Sequence, residues 1–196
     1  MSLIQARRQV SEPSQKFRRL QELLGDGFKR NEILAPYTTF RIGGPADYFY
    51  PARTASQLCN AILAAEESGV NYFLLAGGSN LLINDRGFRG LVIRNECYKM
   101  EVNASKITAE SGVELQEVCD LAWEKSLTGL ECLTGIKGSL GGAVYGNAGA
   151  FGRSIAEVLE SAVIFSPTGE LKVVDNSYFE FAYRGSKLKK NNELIK

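Results

Sequence analysis

The fold of this chain is decided by one stretch, Gly135-Ile-Lys-Gly-Ser-Leu-Gly-Gly-Ala-Val-Tyr-Gly-Asn-Ala-Gly-Ala-Phe-Gly152. Seven of its eighteen residues are glycine, and no acidic residue interrupts it. Glycine inside regular structure costs roughly 0.5–1 kcal/mol relative to alanine, so this concentration needs a physical reason. The stretch indicates backbone that comes close to a ligand, and its bare N–H groups suit an extended anion such as a pyrophosphate. A flexible linker is the alternative, but the glycines are interleaved with apolar residues.

The composition is that of an ordinary soluble globular protein. The chain has 196 residues, of which 44% are hydrophobic and 23% charged, enough for one or two domains. A net charge of +1 gives no electrostatic reason to expect a nucleic-acid or membrane partner, and no apolar run is long enough to span a bilayer. Four unevenly spaced cysteines lie among apolar neighbours, which predicts buried, reduced thiols in a cytoplasmic protein: Cys59, Cys97, Cys119 and Cys132.

The sequence contains no histidine. This excludes Ser-His-Asp and Cys-His nucleophilic sites, histidine-containing zinc sites and histidine general bases. We therefore predict no metal site, and any chemistry must come from Arg, Ser, Tyr, carboxylates, backbone dipoles or a bound cofactor.

A second glycine motif follows a predicted strand. The apolar run Tyr72-Phe-Leu-Leu75 predicts a short buried strand, and it leads into Gly77-Gly-Ser-Asn80. Such a turn can direct backbone amides and a hydroxyl at phosphate, although a plain tight turn is an equal alternative. No Walker A loop is present, and no Gly-x-Gly-x-x-Gly follows a strand. Neither a P-loop NTPase nor a Rossmann dinucleotide site is therefore predicted.

A third polar segment is Tyr37-Thr-Thr-Phe-Arg-Ile-Gly-Gly44. This segment has a structural role only, or it places Arg41 and the threonine hydroxyls beside a polar ligand. The residues alone do not decide between these two interpretations. Around these motifs, capping residues and periodicity predict helices over 14–24, 54–68 and 111–127, the last two beginning with capping boxes at Thr54 and Ser111. Predicted strands alternate with the helices, at 47–51, 72–75, 90–94, 106–110, 159–166 and 171–174.

Four motifs occur together in a specific order: Tyr37–Gly44, Leu75–Leu82, Gly135–Ala150 and Tyr183-Arg184-x-Ser186. Each is weak alone, but as a set they resemble the UDP-N-acetylenolpyruvoylglucosamine reductase (UDP-N-acetylmuramate dehydrogenase) family, flavoenzymes of bacterial peptidoglycan precursor synthesis. The resemblance runs from about residue 31 to residue 196.

The resemblance implies an α+β FAD-binding fold of the vanillyl-alcohol-oxidase (PCMH) type, in which two subdomains hold FAD between them. It divides the chain into an N-terminal extension with a short helix (1–30), subdomain 1 (31–88) and subdomain 2 (89–196). A third, substrate-binding domain would begin after residue 196. The family's proton-donating serine and second catalytic glutamate belong to that domain, so neither can be assigned here.

The resemblance also implies the site residues. Arg184 matches the family's catalytic arginine, whose planar guanidinium suits a substrate carboxylate on which charge develops as hydride arrives. Tyr183 is the expected substrate contact, with a surface strand end as the alternative for both residues. Lys137 stands where relatives usually have proline, which adds a charge near the expected phosphates. Contacts to non-covalent FAD are expected at Tyr37, Thr39, Arg41, Gly77, Gly78, Ser79, Asn80, Leu81, Gly135, Gly138, Ser139, Gly141, Gly142, Asn147, Gly149 and Ala150.

The implied activity is the NADPH-driven reduction of the UDP-GlcNAc enolpyruvyl ether to UDP-N-acetylmuramate. It belongs to cytoplasmic cell wall biogenesis, and through it to cell shape and cell division. The implied partner is this small nucleotide sugar, and a monomer is expected. The alternatives are another FAD oxidase or dehydrogenase of the same fold, without flavin attached to histidine, and a non-catalytic flavin-binding module. With the third domain outside the chain, we expect FAD binding with little or no complete turnover.

Overall fold

The computed structural model describes residues 15–166, 169–191 and 194–195, and the first half of the chain forms a four-stranded sheet flanked by helices. The strand order is β1-β2-β4-β3, with β2 and β3 parallel to β4 and β1 antiparallel to β2. The elements of this half are α1 (Gln15–Leu24), β1 (Lys29–Ile33), β2 (Pro45–Ala52), α2 (Ala55–Glu67), β3 (Tyr72–Leu75) and β4 (Phe88–Asn95).

Strand β4 is the centre of this sheet. Leu91, Val92 and Ile93 are all fully buried, and successive side chains of a strand point to opposite faces. Leu91 and Ile93 pack with α1 and α2, whereas Val92 packs on the other face with Phe49 and Leu75. A continuous apolar run is what a parallel strand covered on both sides requires.

The position of β4 bears on the domain division. β4 lies between β2 and β3, and β1 pairs with β2 from Lys29 onwards. A division at residues 88/89 would separate β4 from the sheet that it centres. We therefore propose that the first subdomain includes α1 and β1 and ends between β4 and β5.

The second half of the chain has its own core around helices α3 and α4. The largest fully buried side chains in it are Leu115, Leu133, Ile155 and Phe179. β10, β9 and β11 form one sheet, β5 and β6 form a hairpin, and β7 pairs with β8. The elements are β5 (Met100–Asn103), β6 (Lys106–Ala109), α3 (Leu115–Glu124), α4 (Leu140–Gly146), β7 (Gly149–Ala150), β8 (Arg153–Ser154), β9 (Ser161–Phe165), β10 (Leu171–Asp175), α5 (Leu188–Asn191) and β11 (Leu194–Ile195).

One aromatic side chain of the second half packs into the core of the first half. Phe165 ends strand β9 of the second half, but its ring is buried in the core formed by α1, α2 and the first sheet. Only 4% of Phe165 is exposed.

Most elements expected from the sequence are confirmed, and one cap is wrong. The Thr54 side chain caps α2 by accepting a 3.2 Å hydrogen bond from the backbone N–H of Gln57. Ser111 does not cap α3, which begins at Leu115 after Glu114 without a side-chain cap. The Ser111 hydroxyl instead accepts a 2.9 Å hydrogen bond from Asn95 Nδ2 in the interior.

The expected burial is confirmed for Cys97, Cys119 and Cys132, whereas Cys59 is half-buried. Burial raises the pKa of the Cys97 thiol to about 12, which keeps it protonated and unreactive. Within residues 15–166, 169–191 and 194–195, no helix is long and apolar enough to cross a membrane.

Candidate functional site

Two of the glycine motifs face each other across a cleft of about 1480 Å³. The turn from Gly77 to Asn80 follows β3, and the stretch from Lys137 to Gly146 forms the opposite wall. A Cβ built on Gly77 would lie 3.3 Å from the Gly138 Cα, so the two backbones are in van der Waals contact. The Ser79 hydroxyl donates a 3.0 Å hydrogen bond to the Lys137 carbonyl. Residues 58 positions apart in sequence therefore form one site.

The segment that contains Tyr37 and Thr39 packs against the turn from Gly77 to Asn80. Gly78 has φ +64°, and a Cβ at this position would lie 2.1 Å from the Tyr37 carbonyl oxygen. The Thr39 N–H donates to the Gly78 carbonyl at 3.1 Å. The Tyr37 hydroxyl donates to Glu32 Oε1 at 2.6 Å, and burial together with this carboxylate raises the pKa of Tyr37 to about 12. Tyr37, Thr39 and Arg41 thus lie behind the turn and are not among the residues lining the cleft.

A short helix begins inside the second glycine motif. Ser139 caps α4, its hydroxyl accepting from the Gly142 N–H at 3.2 Å. The Leu140 N–H donates to the Val113 carbonyl at 2.7 Å, and the Gly141 N–H donates to the Ser111 carbonyl at 2.9 Å. A Cβ on Gly141 would approach Ser111 Cβ to 2.7 Å. These glycines therefore allow α4 to pack closely on the chain, and the amides of residues 140–142 have protein partners.

The remaining expected contacts lie near the end of α4. Asn147 is the C-cap of α4 at φ +45°, and its Nδ2 donates to the Ala182 carbonyl at 2.9 Å. The Gly135 N–H donates to Gln116 Oε1 at 2.7 Å. Ala150 pairs with Arg153 in the β7–β8 hairpin. Gly135, Asn147, Gly149, Ala150 and Tyr183 do not line the cleft.

The cleft brings together the other expected residues and is cationic. Arg184 lines it, with its Nη1 donating to the Gly149 carbonyl at 3.0 Å. The lining contains three basic residues, Lys137, Arg184 and Lys189, and one acidic residue, Glu66. The expected residues that do line it are Gly77, Gly78, Ser79, Asn80, Leu81, Gly138, Ser139, Gly141, Gly142 and Arg184.

Several lining residues were not identified from the sequence. Asn95 and Ser111 form a buried polar pair at the end of β4, and Lys189 Nζ donates to the Arg184 carbonyl at 2.6 Å. The sequence pattern predicted that Ser111 caps a helix. The predicted strand over 90–94 stops one residue before Asn95. The available signal for Asn95 was its place two residues after the buried apolar run from Leu91 to Ile93.

The geometry indicates a ligand with an anionic part and an apolar part. The apolar walls include Phe73, Leu81, Leu115 and Ile136, and the cations cluster at the glycine motifs and at α5. Asn147 lies outside this lining, and its Oδ1 is buried without a hydrogen-bond partner among the described residues, as are the Ser68 hydroxyl and two nitrogens of Arg94. A buried acceptor of this kind is costly unless a donor meets it.

The sequence of residues 46–175 matches the family model described as FAD binding domain. The chain belongs to the FAD binding domain family. FAD fits the cleft, because its pyrophosphate matches the cations and its rings match the apolar walls. Non-covalent binding is consistent with the absence of histidine from the sequence.

Two relatives of this FAD binding domain protein carry the same enzyme name. The chain is 44% identical over 162 residues to the UDP-N-acetylenolpyruvoylglucosamine reductase of Solibacter usitatus, covering 83% of this chain and 52% of the relative. It is 38% identical over 168 residues to the enzyme of that name from Clostridium novyi, covering 85% and 55%. The resemblance inferred from the motifs is thus confirmed, and the chain spans about half the length of these relatives.

Solved structures confirm the fold. The UDP-N-acetylenolpyruvylglucosamine reductase of Thermus caldophilus superposes with a TM-score of 0.71 at 30% identity, covering 85% of this chain and 59% of that one. A solvent-stable cholesterol oxidase superposes with a TM-score of 0.62 at 15% identity, covering 86% and 36%, which shows a shared fold alone. The α+β FAD-binding fold of the vanillyl-alcohol-oxidase type is therefore confirmed.

Proposed function

We propose that this chain is the FAD-binding portion of a UDP-N-acetylenolpyruvoylglucosamine reductase. The observation that carries the proposal is the convergence of both glycine motifs and Arg184 on one cationic cleft. The named relatives and the family membership support the same assignment.

The proposal gives roles to particular residues. Bound FAD supplies hydride transfer, with NADPH as the reductant and the enolpyruvyl double bond of the nucleotide sugar as the acceptor. Ser79, Lys137 and the glycine motifs hold the pyrophosphate side of the cofactor. Arg184 stabilises the charge that develops on the substrate carboxylate, and the exposed Tyr183 contacts the substrate. One preorganised group of this kind is worth on the order of 3–4 kcal/mol of barrier.

The wider context follows from the same assignment and is part of the proposal. The reaction belongs to cytoplasmic peptidoglycan precursor synthesis, and thereby to cell wall biogenesis, cell shape and cell division. The net charge of +1 supports a small-molecule partner rather than nucleic acid or a membrane. A monomer is proposed.

A visible spectrum tests the proposal first. The purified protein should take up added FAD and become yellow, and NADPH should bleach it. The UDP-GlcNAc enolpyruvyl ether should then reoxidise the flavin, in a single turnover if not catalytically. Failure to take up FAD would overturn the assignment. Uptake without NADPH bleaching would favour a non-catalytic flavin-binding module, and bleaching without reoxidation by this substrate would favour another enzyme of the same fold.

A further inference from the structure

The turn from Ala182 to Gly185 carries both residues proposed to meet the substrate. Ala182 and Gly185 exchange two backbone hydrogen bonds of 3.0 and 3.1 Å. Arg184 adopts φ +54°, and Tyr183 is 92% exposed. Left-handed backbone is unfavourable for a residue with a Cβ. A projecting turn with this conformation therefore needs contacts that hold it in place.

Two side chains tie this turn to the end of α4. Asn147 Nδ2 donates to the Ala182 carbonyl at 2.9 Å, at the start of the turn. The Ser186 hydroxyl donates to the Tyr145 carbonyl at 2.8 Å, directly after the turn, and Ser186 is only 5% exposed. The bond from Asn147, the C-cap of α4, anchors the start of the turn. The bond to Tyr145, the last residue but one of α4, anchors its end.

The anchored turn sets the position of Arg184. Its Nη1 donates to the Gly149 carbonyl at 3.0 Å, and its own carbonyl accepts from Lys189 Nζ at 2.6 Å. A guanidinium has five N–H donors, so one bond to a carbonyl leaves others for a carboxylate. Arg184 is exposed, so the backbone position given by the turn and the bond to Gly149 together keep its side chain at the cleft.

We propose that Ser186 and the amide nitrogen of Asn147 are positioning residues for Arg184. They hold the turn so that the guanidinium stays at the edge of the cofactor cleft, directed at the anionic group of the substrate. The role of Arg184 rests on the proposed function, whereas the anchoring itself does not.

Limited trypsinolysis of the whole chain tests the anchoring. Cleavage between Arg184 and Gly185 is followed by mass spectrometry and compared with cleavage between Arg86 and Gly87, the same dipeptide in a turn of the other subdomain. Ser186→Ala and Asn147→Asp should each speed cleavage at Arg184 about fivefold, the effect of losing one hydrogen bond. Ser186→Thr, which keeps the hydroxyl, should restore the slow rate, and cleavage at Arg86 should stay unchanged. Asn147→Asp replaces the Nδ2 donor with a carboxylate oxygen that repels the Ala182 carbonyl, so Ser186→Ala is the variant that isolates the loss of one anchoring bond.

A single-turnover measurement then links the anchoring to chemistry. Reoxidation of the NADPH-reduced flavin by the enolpyruvyl substrate should be about tenfold slower in Ser186→Ala, with FAD affinity within twofold of wild type, and normal in Ser186→Thr. An unchanged rate of cleavage at Arg184 in both Ser186→Ala and Asn147→Asp would overturn the anchoring. An equal increase in the rate of cleavage at Arg86 would also overturn it. Faster cleavage at Arg184 combined with an unchanged rate of flavin reoxidation would overturn the positioning role. A wild-type chain that takes up no FAD would refute the proposed function, while proteolysis still decides the anchoring.

Discussion

The hydroxyl of Ser79 and the main-chain carbonyl of Lys137 are joined by a 3.0 Å hydrogen bond across the cleft. This bond connects the turn after β3 with the loop before α4, so it links the two walls of the cofactor site. A mutation that removes it should therefore loosen the cleft without changing either wall's own fold.

Ser79→Ala should weaken FAD binding about fivefold, because a hydrogen bond of this kind contributes about 1 kcal/mol. Fluorescence titration with FAD measures the change. Ser68→Ala is the matched control, since the buried Ser68 hydroxyl has no hydrogen-bond partner in the part of the chain that the structure describes. The control should bind FAD as the wild type does. Wild-type affinity in Ser79→Ala would show that the bond does not contribute to the site.

Gly78→Ala should lower the free energy of unfolding by at least about 2 kcal/mol. The new Cβ would lie 2.1 Å from the Tyr37 carbonyl, at a residue with φ +64°. Gly146→Ala provides the comparison, because a Cβ there meets nothing within 4 Å. It should leave stability unchanged or raise it by roughly 0.5–1 kcal/mol, since it adds alanine to a helix. Urea unfolding of both variants measures the difference, and equal stabilities would contradict the packing described for Gly78.

Lys137→Met should weaken FAD binding twofold to fivefold at low salt, the usual range for one exposed charge pair. The difference should shrink as ionic strength rises, because salt screens an exposed charge. Riboflavin, which lacks the pyrophosphate, should bind both proteins equally, and Lys137→Arg should retain FAD affinity. A salt-independent loss, or an equal loss for riboflavin, would mean that Lys137 acts through loop conformation rather than charge.

The Tyr37–Glu32 hydrogen bond should make the free energy of unfolding depend on pH in the acidic range. Burial tends to raise the pKa of Glu32, but the bonds from Tyr37 and Lys29 outweigh it and lower the pKa below 4.5. A lowered carboxyl pKa stabilises the fold above pH 4.5, and that contribution disappears as the pH falls through the folded-state value. Tyr37→Phe should therefore cost about 1 kcal/mol at pH 7 and less at pH 3.

The raised pKa of Tyr37 acts at the opposite end of the pH scale. Because the pKa of Tyr37 is about 12 in the folded state, its contribution to the free energy of unfolding is fully present below pH 10. The contribution is lost as the pH rises towards 12. Thermal unfolding from pH 3 to pH 11 follows both effects. Glu32→Gln removes the carboxylate and should abolish the acid-side difference between the tyrosine and phenylalanine proteins. A constant difference between Tyr37→Phe and wild type at pH 3 and pH 7 would contradict the coupling.

Local signals in the sequence predicted helices α1, α2 and α3 and the motifs that form the cleft, but not helices α4 and α5 or every residue that lines the cleft. Thr54 was identifiable as a cap because its partner is three residues away. Ser111 carries the same local pattern, yet its hydroxyl bonds with Asn95, whose position depends on the end of β4. The N-terminal strand β1 is equally non-local, because a run of charged residues becomes a strand only by pairing with β2.

The glycine-rich stretch shows the same limit within the site itself. Its composition predicted close backbone approach, which is correct, but part of that approach is to the protein rather than to a ligand. Gly141 packs against Ser111, and Gly149 accepts from Arg184. Composition cannot distinguish these partners, because a glycine that meets a cofactor and a glycine that meets a neighbouring strand have the same sequence signature.

Phe165 has a consequence for how the molecule unfolds. Its backbone belongs to the sheet of the second half, and its ring fills the core of the first half. Separating the halves would expose this ring and leave a cavity, and such losses cost about 3–5 kcal/mol. The two halves should therefore melt together in one cooperative calorimetric transition. The cofactor cleft between the walls then keeps its shape for as long as the molecule is folded at all.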